Sequence, residues 1–254
     1  MKSPIPILDC HGHLGVHPDF PAYKTSPEEM LSVMDALNIE RLAVTSTLAC
    51  FNDCPRGNKE MAEVVRKYAQ RFLGYITVNP NPRGEALEQL TEYAWLHHPP
   101  LIKFHPDLHK YPVDGPNYIP AWDYAHQTHA IVLVHTWDSD VNCGPLMFRK
   151  IAKEFPRARI LLGHSGVSWR GYRQAIDVAK QAPNTYLDIS GSQSHRTVLE
   201  LCVAEVGADR VLFGSDMPYL EAAVSLGRVL TARISDDAKQ AILRNNFLRL
   251  LTED

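Results

Sequence analysis

Residues 9–13 read Asp9-Cys10-His11-Gly12-His13 and follow the apolar run Ile5-Pro6-Ile7-Leu8. Side chains of an extended strand alternate between its faces, so Asp9, His11 and His13 are expected on one side. Two imidazoles placed two residues apart on a strand can both reach a single metal ion. A helix would need a spacing of four for the same task. The chain holds 12 His, so a short-spaced pair also arises by chance, and the reading needs support from elsewhere.

Working outward, short β-branched or apolar runs recur at Ile5–His11, Arg41–Thr47, Phe72–Val78, Leu101–His105, Ile131–Thr136, Arg159–His164, Thr185–Ser190 and Val211–Ser215. Their spacing of about thirty residues matches one strand–helix–strand unit. The runs are not similar to one another in sequence, so this is not a solenoid repeat. Helical patterns lie between them. Ser26-Pro27-Glu28-Glu29 opens the first, with Ser as N-cap, Pro in the first turn and Glu29 closing a capping box, ahead of the apolar Met30, Leu31, Val33, Met34 and Leu37. Further helices are expected over 58–68, 84–96, 118–129, 145–155, 169–181, 197–206 and 220–230. A last one opens at Ser235, with Ala241, Ile242, Phe247, Leu248, Leu250 and Leu251 able to face the barrel. Strands alternating with helices throughout predict parallel pairing with right-handed crossovers. Eight units in 254 residues fit a closed α/β (β/α)8 TIM barrel, a single domain over 1–254, better than an open sheet. No glycine-rich phosphate fingerprint follows the first strand, which counts against a dinucleotide fold.

Composition narrows the partners. A hydrophobic share of 45%, a charged share of 22% and a net charge of −3 are those of an ordinary globular protein. Nucleic acid is not expected, because no basic run exceeds a few residues. The first seven residues do not read as a signal peptide, and no apolar stretch is long enough to span a bilayer. Five Cys without a secretory signal predict reduced thiols and a cytoplasmic setting. Cys50 and Cys54 bracket a turn-like segment but lack a second pair to complete a zinc site, and read as bystanders.

Active residues of such a barrel sit at the C-terminal strand ends. Reading only those ends gives His11 and His13, Lys103 and His105, His135, His164, and Asp216. Any one strand-terminal His is more often a hydrogen-bonded packing residue than a ligand. Polar residues at several ends converging without purpose would cost about 1–3 kcal/mol for each unpaired group, so the joint coincidence is hard to sustain. Imidazole and carboxylate suit a zinc-type ion, which in catalytic sites takes three protein ligands and keeps one position open.

The His11-Gly12-His13 strand, the Val134-His135 end, Gly163-His164-Ser165-Gly166 and Gly214-Ser215-Asp216-Met217-Pro218 together resemble the amidohydrolase superfamily. The nearest branch is the amidohydrolase-2 group, which includes aminocarboxymuconate-semialdehyde-type decarboxylases and various hydrolases. The resemblance covers nearly the whole chain, including Ile242-Leu243-Arg244-Asn245-Asn246 in the closing segment. It implies His11, His13, His135 and Asp216 as metal ligands and His164 as the catalytic His, with Asp216 assisting. The implied cofactor is a divalent metal, one Zn2+ ahead of Mn2+ or a binuclear site. In two-metal relatives the fourth-strand lysine is carboxylated and bridges the ions, which would be Lys103. Uncarboxylated, Lys103 would be a fixed cation for an anionic substrate. Asp9 is a candidate to support the ligands from behind.

Other residues read as specificity elements. His105 lines the site. Trp137, Trp169 and Tyr219 each serve equally well as substrate wall or loop packing. Arg56 and His195 could face a carboxylate, although a solvated surface role suits both better. His17, His97, His98, His126 and His129 carry no assignment, and the loops 48–57 and 106–116 are the expected lids over a compact, fairly open pocket. The leading expectation is a metal-dependent hydrolase of a small amide, ester or lactone. Its alternatives are a non-oxidative decarboxylase of an unsaturated or aromatic acid, and a metal-binding barrel without turnover. A phosphoesterase is disfavoured by the shortage of further ligands. The partner is a small-molecule substrate, and base rates for such barrels admit a homodimer.

Overall fold

The computed structural model describes residues 2–22, 25–81 and 85–253. Strands β1 (Ile7–Leu14), β2 (Ile39–Ser46), β3 (Phe72–Gly74, resuming as Ile76–Val78), β4 (Leu101–Phe104), β5 (Ile131–His135), β6 (Arg159–Gly163), β7 (Thr185–Asp188) and β8 (Val211–Leu212) run parallel. Tyr75 interrupts β3. Its first half pairs with β2 and its second with β4, while the Tyr75 N–H still reaches the Val44 carbonyl at 2.8 Å. The ring closes between the segment after β8 and β1. Gly12 bridges Met217, the Cys10 N–H donates to Phe213 O at 2.9 Å, and the Asp216 N–H donates to His11 O at 2.8 Å. The fold is a (β/α)8 barrel, as the sequence rhythm predicts.

Alternation sorts the side chains into two cores. Leu8, Cys10, Leu73, Tyr75, Leu133 and Leu161 belong to the cluster that fills the barrel, whereas Leu42, Val44, Val132 and Val134 pack outward under the helices. Phe247 and Leu250 of the last helix, Asn246–Thr252, join the inner cluster and plug the base. Arg159, at the start of β6, fastens that helix by donating to the Leu250 and Glu253 carbonyls at 2.6 Å each. Leu248, expected to face the barrel, is instead exposed on the far side of that helix.

The helix Pro27–Leu37 carries the expected capping box, with Ser26 and Glu29 satisfying each other's backbone, and buries Met30, Met34 and Leu37. The expected lid at 48–57 is helical instead. Ser46 caps a short helix, Thr47–Phe51, and Asp53 caps a second, Cys54–Lys67, with Pro55 in its first turn. These cap signals sit in the sequence, but they lie before the apolar periodicity that set the expected start at Asn58. The loop 106–116 likewise begins with one helical turn, Pro106–His109. The helix expected over 84–96 is seen as Glu85–Glu92 followed by a 3-10 turn at Ala94–Leu96, and its expected first residue, Gly84, lies outside the described residues. The cysteines form no disulfide among the described residues. No helix among those residues is long and apolar enough to cross a membrane.

Candidate metal centre and cavity

Strict alternation fails at the stretch that anchors the site. Between Asp9 and Gly12, β1 holds one residue more than β2, so its register shifts. Cys10 therefore stays in the barrel core with Leu8 while His11 and His13 both turn into the barrel mouth. Asp9 supports the site through backbone. Its Oδ1 accepts from the N–H groups of His11 and Ser215 at 3.1 Å, clasping β1 to the segment that carries Asp216. His164 and Asp216 both take left-handed backbone, with φ of 59° and 63°. For non-glycine residues this costs about 1–2 kcal/mol each, a strain typical of side chains held to a functional direction.

The side chains from these ends converge. One ligand atom each from His11, His13 and Asp216 lies within 4.8 Å of the others, and all three residues are buried. His13 Nε2 is 3.0 Å and His11 Nε2 3.6 Å from Asp216 Oδ1. Asp216 Oδ1 nevertheless has no hydrogen-bond partner, and neither do His13 Nδ1 or His135 Nε2. A buried carboxylate oxygen unpaired among the described residues, with two imidazole Nε2 atoms within 3.6 Å of it, is what a divalent cation would satisfy, so His11, His13 and Asp216 fit a metal ion. The His135 ring lies 5.0 Å from that of His164, on the wall beside the cluster.

Lys103 is fully buried on β4 beneath the cluster, with Nζ 3.2 Å from His11 Nε2. It faces the candidate ligands and does not line the cavity, so it is not poised as the substrate-facing cation that one reading of the sequence allowed.

Asp188, at the end of β7, went unnoticed in the sequence. Its Oδ2 accepts from His11 Nδ1 at 2.6 Å, from Ser190 Oγ at 2.6 Å and from the His164 N–H at 3.2 Å. Ser190 Oγ in turn lies 2.9 Å from His164 Nδ1. With its hydroxyl proton directed to Asp188, Ser190 accepts from His164 Nδ1–H. Both imidazoles then keep the proton on Nδ1 and turn the Nε2 lone pair to the site, on His11 toward Lys103 Nζ or a cation in its place and on His164 to accept a proton. A carboxylate at a strand end, in Asp188-Ile189-Ser190, was the available signal. No His accompanies it, so nothing local marks that end as part of the site.

Burial is the main cause of the site's unusual acidities. It pushes His135 down to about 3 and His164 to about 4, and holds His11 and His13 well below the usual imidazole range. The imidazoles are thus neutral, the form that binds metal. Burial raises Asp216 to about 6 and Asp9 to about 7, and lowers Lys103 from the usual ammonium value.

Above the cluster opens a cavity of about 350 Å³. His13, His105, His135, His164, Trp137 and Asp216 line it, as does Tyr219, which stacks on His13 with ring centroids 4.5 Å apart. His17, left without a role by the sequence, also lines it, set edge-on to Phe20, Phe51 and Tyr219. The loop after β1 folds over the barrel mouth, which strand-end reading does not register. Arg56 is elsewhere. It sits on the helix Cys54–Lys67, exposed and paired with Glu60 at 2.8 Å, outside the cavity wall. Trp169 and His195 are exposed and do not line the cavity either.

A sequence profile of the amidohydrolase family matches residues 8–252. Among curated relatives, an uncharacterized protein of Sinorhizobium fredii is 34% identical over 86 residues, 28% of this chain and 29% of its own length. Gamma-resorcylate decarboxylase of a Polaromonas species is 28% identical over 127 residues, 41% of this chain and 38% of its own. The chain thus spans well under two thirds of the curated relatives it matches. Among solved structures, an uncharacterized TIM-barrel protein from Bordetella bronchiseptica superposes with a TM-score of 0.80 at 20% identity, covering 97% of this chain and 98% of that one. 5-Carboxyvanillate decarboxylase of Novosphingobium aromaticivorans, complexed with manganese and 4-hydroxy-3-methoxy-5-nitrobenzoic acid, superposes at 0.77 with 15% identity, covering 98% and 97%. These two likenesses bear on the fold.

Proposed function

The chain belongs to the amidohydrolase family, an enzyme family of metal-dependent hydrolases and carboxy-lyases, and from that footing we propose that it is a non-oxidative decarboxylase of a small aromatic acid. The observation that carries the reading is the convergence of His11, His13 and Asp216 beside the free Nε2 of His164 at the floor of a cavity. The two named relatives, both decarboxylases of ring acids, favour this reading over the hydrolase that the sequence put first.

His11, His13 and Asp216 would hold the metal, with His135 completing the set. One ion of zinc or manganese is the occupancy we assign. Bound there, the ion supplies positive charge that draws an oxygen-bearing substrate in and stabilises charge developing on it. The residues of the chain do the rest. When carbon dioxide leaves a ring carbon, that carbon must gain a proton. His164 Nε2, with its lone pair open to the cavity, would take a proton from a substrate hydroxyl and return it to that carbon, with the Asp216 carboxylate beside it. Asp188 and Ser190 keep His164 in the tautomer that presents Nε2 to the cavity. Phe51, Tyr219 and Trp137 give the cavity aromatic walls suited to a flat ring.

A metal-dependent hydrolase of a neutral ester or lactone is the second reading. It is favoured by one observation: among the described residues no Arg or Lys lines the cavity to meet a carboxylate. The test is to incubate metal-loaded protein with a panel of hydroxybenzoates and, separately, of aryl esters and lactones. Release of carbon dioxide from an acid, abolished in His164→Ala, is the expected result. Ester or lactone cleavage with no carbon dioxide from any acid would overturn it in favour of the hydrolase.

A further inference from the structure

With no cationic side chain among the described residues of the cavity wall, any oxygen of a bound acid that does not face the metal must be held in another way. Its described lining includes acidic groups, among them Asp107, which pairs with Lys110 at 2.8 Å, and Asp19. Neutral donors are what remain. Ser192 and Gln193 line the cavity but are exposed, so little holds them in place.

Resting on the aromatic-acid reading above, we propose that His105 holds the substrate by donating its Nε2–H to the acid oxygen. His105 follows β4 directly and lines the cavity, with only 9% of its surface exposed. The Leu108 N–H donates to His105 Nδ1 at 3.4 Å, closing the first turn of Pro106–His109. A ring nitrogen that accepts carries no proton, so in the neutral ring the proton sits on Nε2. The ring also lies nearly flat on His135, with centroids 4.2 Å apart and an interplanar angle of 12°. Backbone on one edge and a stacked ring on one face fix where the Nε2–H points, which is the preorganisation that makes a neutral donor effective. The candidate ligand clusters among the described residues use His11, His13, His164, Asp188 and Asp216, so His105 is free of that duty. A single neutral donor suits an acid with one carboxylate, since a second would meet Asp19 or Asp107, and Lys110, the cation paired with Asp107, does not line the cavity.

The test measures binding, so that it does not depend on turnover. Metal-loaded wild-type protein, His105→Phe and His105→Gln are titrated with 2-hydroxybenzoate and with phenol, and the metal content of each is determined. Phe keeps the stacking ring and loses the donor, whereas Gln restores an N–H near the Nε2 position. The expected result is a loss of 2-hydroxybenzoate affinity of about tenfold or more in His105→Phe, the scale of a lost hydrogen bond to a charged group. Phenol affinity and metal content should stay unchanged, and His105→Gln should recover most of the acid affinity. Equal acid affinity in wild type and His105→Phe would overturn the proposal, as would acid and phenol affinities falling together, metal lost from both variants, or a wild-type protein that binds no acid. If the wild type binds the acid in the expected pattern yet releases no carbon dioxide, the decarboxylase reading fails and the role of His105 in binding stands.

Discussion

Asp188 accepts from the Nδ1–H of His11 at 2.6 Å and, with Ser190, sets the tautomer of His164. A carboxylate behind a ligand imidazole raises its basicity and fixes its orientation, and removing such a partner typically lowers metal affinity about 10–100-fold. Asp188→Asn should show a loss of that size in a competition titration against a chromogenic chelator, with the fold preserved by circular dichroism. An unchanged affinity would mean that His11 needs no such support. His13→Ala removes one of the converging donors outright, and the purified variant should carry well under the roughly one metal per chain expected of a catalytic zinc-type site.

The strand ends owe their geometry to close backbone approach. Gly214 lies just after β8, where an added Cβ would come within 2.2 Å of Asp188 Oδ1 and 2.9 Å of His11 Cβ. Gly163, the last residue of β6, is similarly tight, with the Val134 carbonyl 2.7 Å from a virtual Cβ. The sequence patterns Gly163-His164 and Gly214-Ser215-Asp216 thus have a steric cause: the glycine one or two residues before the functional side chain must leave room for what the neighbouring strand contributes. Gly214→Ala should destabilise the protein by about 1–3 kcal/mol in urea unfolding, the usual range for overpacking. It should also weaken metal binding by displacing Asp188. Lower stability with unaltered metal affinity would separate the two effects and show that Asp188 can shift without consequence.

At the scale of the molecule, the last helix and the buried imidazoles govern stability. Phe247 is fully buried in the cluster at the barrel base, so Phe247→Ala should cost about 3–5 kcal/mol in equilibrium unfolding. A much smaller loss would mean that the plug is dispensable. Stability of the metal-free protein should also depend on pH. His97, His109 and His164 are each lowered to about 4 and His135 to about 3, chiefly by burial. A depressed imidazole contributes stability that is fully present above the unfolded value near 6.5 and is lost as pH falls through the folded value. Asp9 and Asp216 work the other way. Raised to about 7 and about 6, they contribute stability below the unfolded carboxylate value that is lost as pH rises through those folded values. The depressed imidazoles outnumber the raised carboxylates, so the melting temperature should fall as pH drops from about 6.5 to 4. A flat or rising profile across that window, read by differential scanning fluorimetry, would contradict the burial of these rings.

The sequence by itself determined the repeat of strand and helix, and with it the closed barrel, because a strand–helix unit is written in local periodicity and capping residues. It also determined which side chains meet: His11, His13, His105, His135, His164 and Asp216 all reach the same cavity or its floor, since the fold rule fixes the end at which they emerge. Other features were decided only when distant segments met. Asp188 supports His11 from 177 residues away, a contact that no local pattern encodes. Lys103 is sealed under the cluster, and His17 is carried to the cavity by the loop after β1. Arg56 lies on the exposed face of a helix because Asp53 and Pro55 start that helix before the apolar periodicity does. The extra residue in β1 turns His11 and His13 inward together while Cys10 stays in the core, since that register is set by pairing with β2 and closure against the segment after β8. Period and caps are properties of neighbouring residues. Register, burial and convergence belong to the closed ring, which exists only once all of its strands have paired.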